Sequence, residues 1–146
     1  MMIHRMDHAG IVVEDLAAAV AFFTELGLEI EGEASVDGAW VDQLVGLDGV
    51  RADMVVLRTP DGRSRVEVST FRAPAATTSA LRAPVNTPGS IRLTFVVDDV
   101  DDVLKRLRGH GAALVGEVAQ YLDIYRYCYV RGPDGIILGL CEELKS

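Results

Sequence analysis

The sequence predicts an α+β fold of two tandem βαβββ modules whose strands form a concave, mostly antiparallel sheet cleft. Two repeated patterns predict it. Residues 11–16 (Ile-Val-Val-Glu-Asp-Leu) are matched 84 positions later by residues 95–100 (Phe-Val-Val-Asp-Asp-Val). Pro-Asp-Gly at 60–62 recurs at 133–135. Because the two copies share the order and chemistry of these patterns, they indicate a duplicated structural unit.

The size and composition of the chain fit a single domain. It has 146 residues, of which 49% are hydrophobic, and this supplies enough apolar side chains for a packed core. Within this domain, 1–146, we predict a first module at 1–71, a connector at 72–90 and a second module at 91–146.

The first module is predicted to open with a strand at 6–13. Asp15 is a helix N-cap candidate, and apolar residues at helical spacing follow it: Leu16, Ala19, Val20, Phe23 and Leu26. Further strands are expected near 29–34, 52–58 and 63–71, with Pro-Asp-Gly as the turn before the last.

The second module repeats this order after a connector that contains three prolines. A strand is expected at 91–97, followed by a helix capped by Asp98 or Asp99 and stopped by Gly109 and Gly111. The remaining strands are expected at 113–118, 125–131 and 136–141.

Charge and cysteine usage narrow the choice of partners and compartment. Asp and Glu outnumber Lys and Arg by 22 to 14, for a net charge of −8, which disfavours binding to nucleic acid or to an anionic membrane. No apolar segment approaches the roughly 20 residues that span a bilayer. Cys128 and Cys141 lie in apolar strand-like segments without CxxC spacing, which predicts reduced thiols in a cytoplasmic protein.

Strand alternation selects a candidate metal-binding pair in the first module. His8 shares a strand face with Gly10, and Glu67 lies at the centre of the last strand of the same module. Imidazole and carboxylate ligands suit divalent zinc, iron, nickel or manganese. His8 and Glu67 are therefore predicted to be halves of a metal site.

Three motifs give the chain a specific resemblance. They are Asp-His-Ala-Gly-Ile-Val-Val-Glu-Asp at 7–15, Phe-Phe-x-x-Leu-Gly-Leu at 22–28 and Gly-Pro-Asp-Gly at 132–135. They resemble the vicinal oxygen chelate superfamily, which includes glyoxalase I, methylmalonyl-CoA epimerase, extradiol dioxygenases, fosfomycin-resistance enzymes and bleomycin-binding resistance proteins. The resemblance implies a small-molecule ligand or substrate and a homodimer.

The resemblance also implies metal ligands on the first and last strand of each module. His8 and Glu67 are of the right type, but the matching positions in the second module are Arg92 and Gly139. Neither offers a side-chain lone pair to a metal. Cys141 shares a strand face with Gly139, one alternating step further along. The prediction is a partial site, without the three protein ligands typical of catalytic zinc.

The guanidinium of Arg92 is a candidate replacement for the missing metal ion. A guanidinium near Glu67 would neutralise the carboxylate. In one hypothesis Arg92 also anchors a carboxylate or phosphate group of a ligand, and in the other it forms only a buried salt bridge.

Aromatic residues supply further ligand-binding candidates. Tyr125, Tyr127 and Tyr129 alternate and share one strand face, and the resemblance places Tyr127 and Tyr129 in the ligand pocket. The alternative is a strand surface that packs against the connector or another subunit. Trp40 lies in the apolar segment 36–50, which forms either a lid or a dimer contact.

The predicted function is small-molecule binding in a protein of glyoxalase or bleomycin-resistance type that has lost two metal ligands. The alternative is a metal-dependent lyase, epimerase or isomerase, or dioxygenase with an unusual coordination sphere, in which Glu67 moves a proton. A third hypothesis is a metal-free enzyme with Glu67 as base and with His8 and Arg92 stabilising an oxyanion.

Overall fold

The computed structural model describes residues 2–76 and 83–144. The chain divides into two compact units, Met1–Thr78 (unit 1) and Ser79–Ser146 (unit 2). Each unit contains one mixed sheet with mostly antiparallel pairing, so the predicted α+β class is confirmed.

Unit 1 consists of a four-stranded sheet and two helices. In chain order its elements are β1 (Ala9–Val12), α1 (Leu16–Leu26), β2 (Glu29–Asp37), α2 (Ala39–Val45), β3 (Arg51–Arg58) and β4 (Arg65–Ala73). The strand order is β1-β4-β3-β2, and only the β1–β4 pair is parallel.

Helix α1 forms where the sequence predicted it. The Asp15 carboxylate accepts a hydrogen bond from the backbone N–H of Ala18, and Gly27 ends the helix at a φ of 122°. The buried face of α1 includes Phe22 and Phe23. It covers the side of β3 and β4 that carries four buried residues: Val55, Leu57, Val66 and Val68.

The other side of this sheet, which we call the open face of unit 1, carries the polar residues. Glu67 and Ser69 lie there because they alternate with the buried residues of β4. Helix α2 covers one end of the open face, where Val41 packs in a cluster with four other apolar residues: Val36, Val50, Ala52 and Phe71.

Unit 2 repeats the plan with one further short strand. Its elements are β5 (Arg92–Val96), α3 (Val100–Arg108), β6 (Ala113–Leu114), β7 (Ala119–Tyr121), β8 (Tyr125–Arg131), a 3₁₀ turn (Pro133–Gly135) and β9 (Ile137–Glu143). The strand order is β5-β9-β8-β6, with β7 also paired to β8, and β5 is parallel to β9.

Helix α3 lies on one side of this sheet and leaves the other side as the open face of unit 2. Asp99 is the N-cap, and its carboxylate accepts from the N–H of Asp102. Leu104 and Leu107 are buried on α3. The buried sheet residues that alternate toward this helix are Cys128, Val130, Leu138 and Leu140.

Three parts of the chain differ from the sequence prediction. The first strand is Ala9–Val12 instead of 6–13, because β4 begins at Arg65 and offers almost no partner upstream of Ala9. Of the strand expected at 113–118, only Ala113–Leu114 forms a strand, β6, and β7 follows at Ala119–Tyr121. The segment 36–50, for which no element was predicted, contains α2.

Strand β2 forms an edge of its sheet and is strongly acidic. Its carboxylates are Glu29, Glu31, Glu33 and Asp37. Arg65 contacts Glu31 at 2.6 Å and lowers the pKa of that carboxyl by hydrogen bonding, while Arg58 lies 3.4 Å from Glu29.

In the described ranges, no helix is both long and apolar enough to cross a membrane.

Candidate functional site

Unit 1 brings His8 and Glu67 together on its open face. His8 directly precedes β1, and Glu67 pairs with Gly10 of that strand. Nε2 of His8 lies 3.4 Å from Oε2 of Glu67, and both side chains are partly exposed. The geometry agrees with the strand faces predicted from the sequence.

Asp7 fixes the orientation of the His8 ring. Nδ1 of His8 donates a hydrogen bond to Asp7 at 2.8 Å, and Arg5 donates to the other oxygen of the same carboxylate at 2.7 Å. The hydrogen bonds from His8 and Arg5 lower the pKa of the Asp7 carboxyl. With the Nδ1 hydrogen directed at Asp7, a neutral His8 presents its Nε2 lone pair toward Glu67.

Sequence reasoning missed Asp7. A continuous strand from residue 6 would place Asp7 and His8 on opposite faces, but strand pairing starts only at Ala9. The detectable signal was an acidic residue adjacent to a candidate ligand histidine, since such histidines usually donate their second N–H to a carboxylate or carbonyl.

The His8–Glu67 pair is chemically a two-ligand arrangement. The Nε2 lone pair of His8 and the carboxylate of Glu67 can together bind a divalent cation, or the two groups can share a proton. Over residues 2–76 and 83–144, no group of three or more His, Cys, Asp and Glu side chains is arranged to hold a metal ion.

In unit 2, two hydroxyl groups fill the space above Gly139. Gly139 pairs with Thr94 on one side and with Tyr129 on the other. Oγ1 of Thr94 and Oη of Tyr127 form a 2.8 Å hydrogen bond. A Cβ at position 139 would lie 2.5 Å from Oγ1 of Thr94 and 2.9 Å from Oη of Tyr127, so the hydrogen bond leaves room only for glycine.

Unit 2 therefore does not fit the metal site that the resemblance implies. A ligand side chain at Gly139 would have to displace Thr94 and Tyr127. At the other implied position, Arg92 stays protonated and offers no lone pair.

Arg92 lies against an aromatic ring. Its guanidinium carbon is 5.0 Å from the centroid of the Tyr129 ring, within the range of a cation–π contact. Arg92 is exposed, so the hypothesis of a buried salt bridge is wrong. The predicted contact between Arg92 and Glu67 would join the two units, and it stays a prediction.

Four tyrosines form a continuous row on the open face of unit 2. This tyrosine row consists of Tyr121, Tyr125, Tyr127 and Tyr129, with successive ring centroids 5.6, 6.0 and 5.3 Å apart. Tyr121 was not predicted to join it. It does so because Tyr121 pairs with Tyr125 across the turn at 122–124.

Tyr127 is the tyrosine of the row that hydrogen-bonds to Thr94. Burial raises the pKa of its phenol, and the hydrogen bond with Thr94 opposes part of that shift. The Tyr127 phenol is therefore protonated at neutral pH and is able to donate a hydrogen bond.

The two cysteines lie on opposite faces of the unit 2 sheet. Cys128 is buried beneath α3, whereas Cys141 pairs with Tyr127 and lies on the open face. Both thiols are free, as the sequence predicted, and burial raises the pKa of each.

Trp40 lies on α2 and is 61% exposed. Val41, the next residue, makes the packing contact of the helix with the open face of unit 1. Leu44, one turn further along, is also exposed. Both the lid and the dimer-contact hypotheses for this segment remain open.

Comparison with known proteins identifies the family. Residues 7–129 match the family model of the Glyoxalase/Bleomycin resistance protein/Dioxygenase superfamily. The chain belongs to this superfamily. The predicted resemblance to the vicinal oxygen chelate proteins is therefore confirmed. No curated protein matches the chain in sequence.

Solved structures of the superfamily share the fold. A glyoxalase family protein from Bacillus cereus is 46% identical, with 99% of this chain and 97% of that chain covered and a TM-score of 0.94. A trypanothione-dependent glyoxalase I from Leishmania major is 22% identical over 97% and 88% of the two chains, with a TM-score of 0.65. A fosfomycin resistance protein from Listeria monocytogenes, solved with Mn(II) and 1S,2S-dihydroxypropylphosphonic acid, is 14% identical over 99% and 93%, with a TM-score of 0.62.

Proposed function

We propose that this superfamily member binds a small molecule on the tyrosine row and does so without a tightly bound metal ion. The observation that carries the proposal is the row itself, four aromatic rings in contact on the sheet face opposite α3. Aromatic side chains provide a large apolar surface of fixed geometry together with a polar edge, which suits a planar ligand.

The absence of suitable ligand chemistry at Arg92 and Gly139 supports the metal-free part of the proposal. His8 and Glu67 alone supply two protein ligands, fewer than the three of typical catalytic zinc sites. The Thr94–Tyr127 hydrogen bond occupies the space in which a side chain at Gly139 would begin.

A titration with planar aromatic compounds tests the binding function. In two-dimensional NMR of isotope-labelled protein, we expect binding to shift amide signals of β8 and β9 around Tyr127, Tyr129 and Cys141. The proposal would be contradicted by saturable shifts of amide signals in other strands alone. It would also be contradicted if none of the planar aromatic compounds shifted any amide signal.

The second candidate function is a metal-dependent lyase, epimerase or isomerase, or dioxygenase. The position of His8 beside Glu67, with Asp7 on Nδ1, favours it, because an oriented histidine and a carboxylate are common metal ligands. A divalent ion bound there would polarise substrate oxygens. The protein's own contribution would be Glu67 accepting a proton from the substrate.

Metal content separates the two candidate functions. For untagged, dialysed protein we expect far less than one metal ion per chain by mass spectrometry, and no retention after soaking in zinc, iron, nickel or manganese salts. Near-stoichiometric metal that is lost in His8→Ala but kept in His4→Ala would favour the metalloenzyme. His4 is a matched control because it is exposed and lies in the same N-terminal segment.

We further propose that the protein is a cytoplasmic homodimer. Two free cysteines support a reducing compartment. Exposed apolar side chains support self-association, and they include Met6, Val12, Trp40, Leu44, Ile91 and Val96. A monomeric mass in light scattering would refute the dimer.

A further inference from the structure

Arg92 carries a charge for which residues 83–144 of unit 2 supply no counter-ion. Across residues 83–144, no carboxylate lies within 4 Å of its guanidinium, which contacts the Tyr129 ring instead. Three other arginines of unit 2 are engaged: Arg106 pairs with Asp102, Arg126 pairs with Asp101, and Arg131 donates to the carbonyls of Gly135 and Ala83.

Two hydroxyl groups lie next to Arg92 on the same face. Thr94 follows Arg92 by two residues on β5, so the two side chains are neighbours separated by about 6–7 Å along the strand. The Thr94–Tyr127 pair has two hydroxyl hydrogens and uses one in its mutual hydrogen bond. Whichever oxygen donates, one O–H remains to bind an acceptor.

From these groups we propose that the site selects an aromatic carboxylate: Arg92 and the spare hydroxyl of the Thr94–Tyr127 pair bind the carboxylate, and the tyrosine row stacks on the ring. This inference rests on the proposed small-molecule function. It adds the class of ligand and gives Arg92 the role of specificity-determining residue.

The local charge decides between an anionic and a cationic ligand. The chain has a net charge of −8, which at long range favours a cation. Exposed charges farther than a Debye length, about 8 Å at physiological salt, are largely screened. At the Tyr129 end of the row the nearby ionic groups are the cations Arg92 and Arg131, whereas the acidic Glu143 pairs with Tyr125 at the other end.

The experiment compares three compounds of similar size by calorimetric titration: 2-naphthoate, its neutral carboxamide, and the non-aromatic decahydronaphthalene-2-carboxylate. We expect 2-naphthoate to bind about tenfold or more tightly than the carboxamide, as charge-assisted hydrogen bonds predict. We also expect it to bind more tightly than the non-aromatic acid, because only the aromatic ring stacks on the row.

Two substitutions on β5 test whether Arg92 and Thr94 cause the preference for the carboxylate. Arg92→Gln is expected to reduce the affinity for 2-naphthoate to that for the carboxamide, and Thr94→Val to weaken it several-fold. Arg106→Gln, an exposed arginine on α3, is the matched control and is expected to leave the affinity unchanged. Because Arg92 is exposed, its substitution is not expected to unfold the protein, and urea denaturation verifies this.

Each outcome has one meaning. Equal affinity for 2-naphthoate and the carboxamide, with amide shifts on the tyrosine row, overturns the carboxylate preference but leaves the proposed binding function standing. Tighter binding of a naphthyl amine than of 2-naphthoate also overturns the preference. If no aromatic compound binds, both the preference and the proposed function fail.

Discussion

Replacing Gly139 with alanine is expected to lower the free energy of unfolding by about 1–3 kcal/mol, the usual cost of overfilling a packed site. The new Cβ would meet Oγ1 of Thr94 at 2.5 Å. Thr94 can move this hydroxyl only by giving up its hydrogen bond with Tyr127. Its own Cβ, 3.2 Å from the new atom, would also have to shift on β5. Urea denaturation measures the loss.

Gly10→Ala is the matched control for this substitution. Gly10 also lies in a strand on an open face, but no atom lies within 4 Å of the Cβ it would gain. Its substitution is expected to be neutral or to stabilise by up to about 1 kcal/mol. In a Thr94→Ala background, Gly139→Ala should cost less. Equal costs in both backgrounds would show that Thr94 does not occupy this space.

Replacing Phe23 with alanine is expected to cost about 3–5 kcal/mol, which is a large share of the stability of a small protein. Phe23 is completely buried on α1, and its ring packs edge-on against Phe22 at a centroid distance of 5.5 Å. Truncation removes the apolar surface and leaves a cavity that the surrounding side chains fill only in part.

The equivalent position in the second copy of the repeat provides a second core variant, and an exposed position on α1 provides the control. Leu107 is the equivalent of Phe23 at the offset of 84 and is equally buried, so Leu107→Ala is expected to cost about 2–5 kcal/mol. Thr24→Ala, exposed on α1, should change the stability by less than about 0.5 kcal/mol. A loss below 1 kcal/mol for Phe23→Ala in urea denaturation would contradict its assignment to the core.

Local patterns were sufficient to predict much of the fold. Asp15 and Asp99 cap their helices because capping depends on a side chain and the backbone three residues ahead. The repeat predicted that each half of the chain opens with a strand followed by a helix, and strand alternation predicted that His8 and Glu67 share a face. Helix α2 was not predicted, since seven residues between glycines carry too short a periodic signal.

The candidate site was less predictable because it depends on the register of several strands. The Thr94–Tyr127 hydrogen bond joins β5 to β8 across Gly139 of β9, a placement that no spacing along the chain reveals. Asp7 was missed because alternation was extended into a segment that is not paired. The binding roles of Arg92, Tyr127, Tyr129 and Trp40 stay predictions.

The acidic edge strand β2 has a consequence for handling the protein. An unpaired strand edge is a template onto which another chain can add, and like charges along it oppose such addition. As the pH falls toward the isoelectric point of about 4.8, the net negative charge of the chain decreases and the repulsion between copies weakens. Arg65 lowers the pKa of Glu31, so this carboxylate keeps its charge to a lower pH than an ordinary glutamate. Mildly acidic buffers should therefore promote edge-to-edge aggregation while the fold itself is still intact.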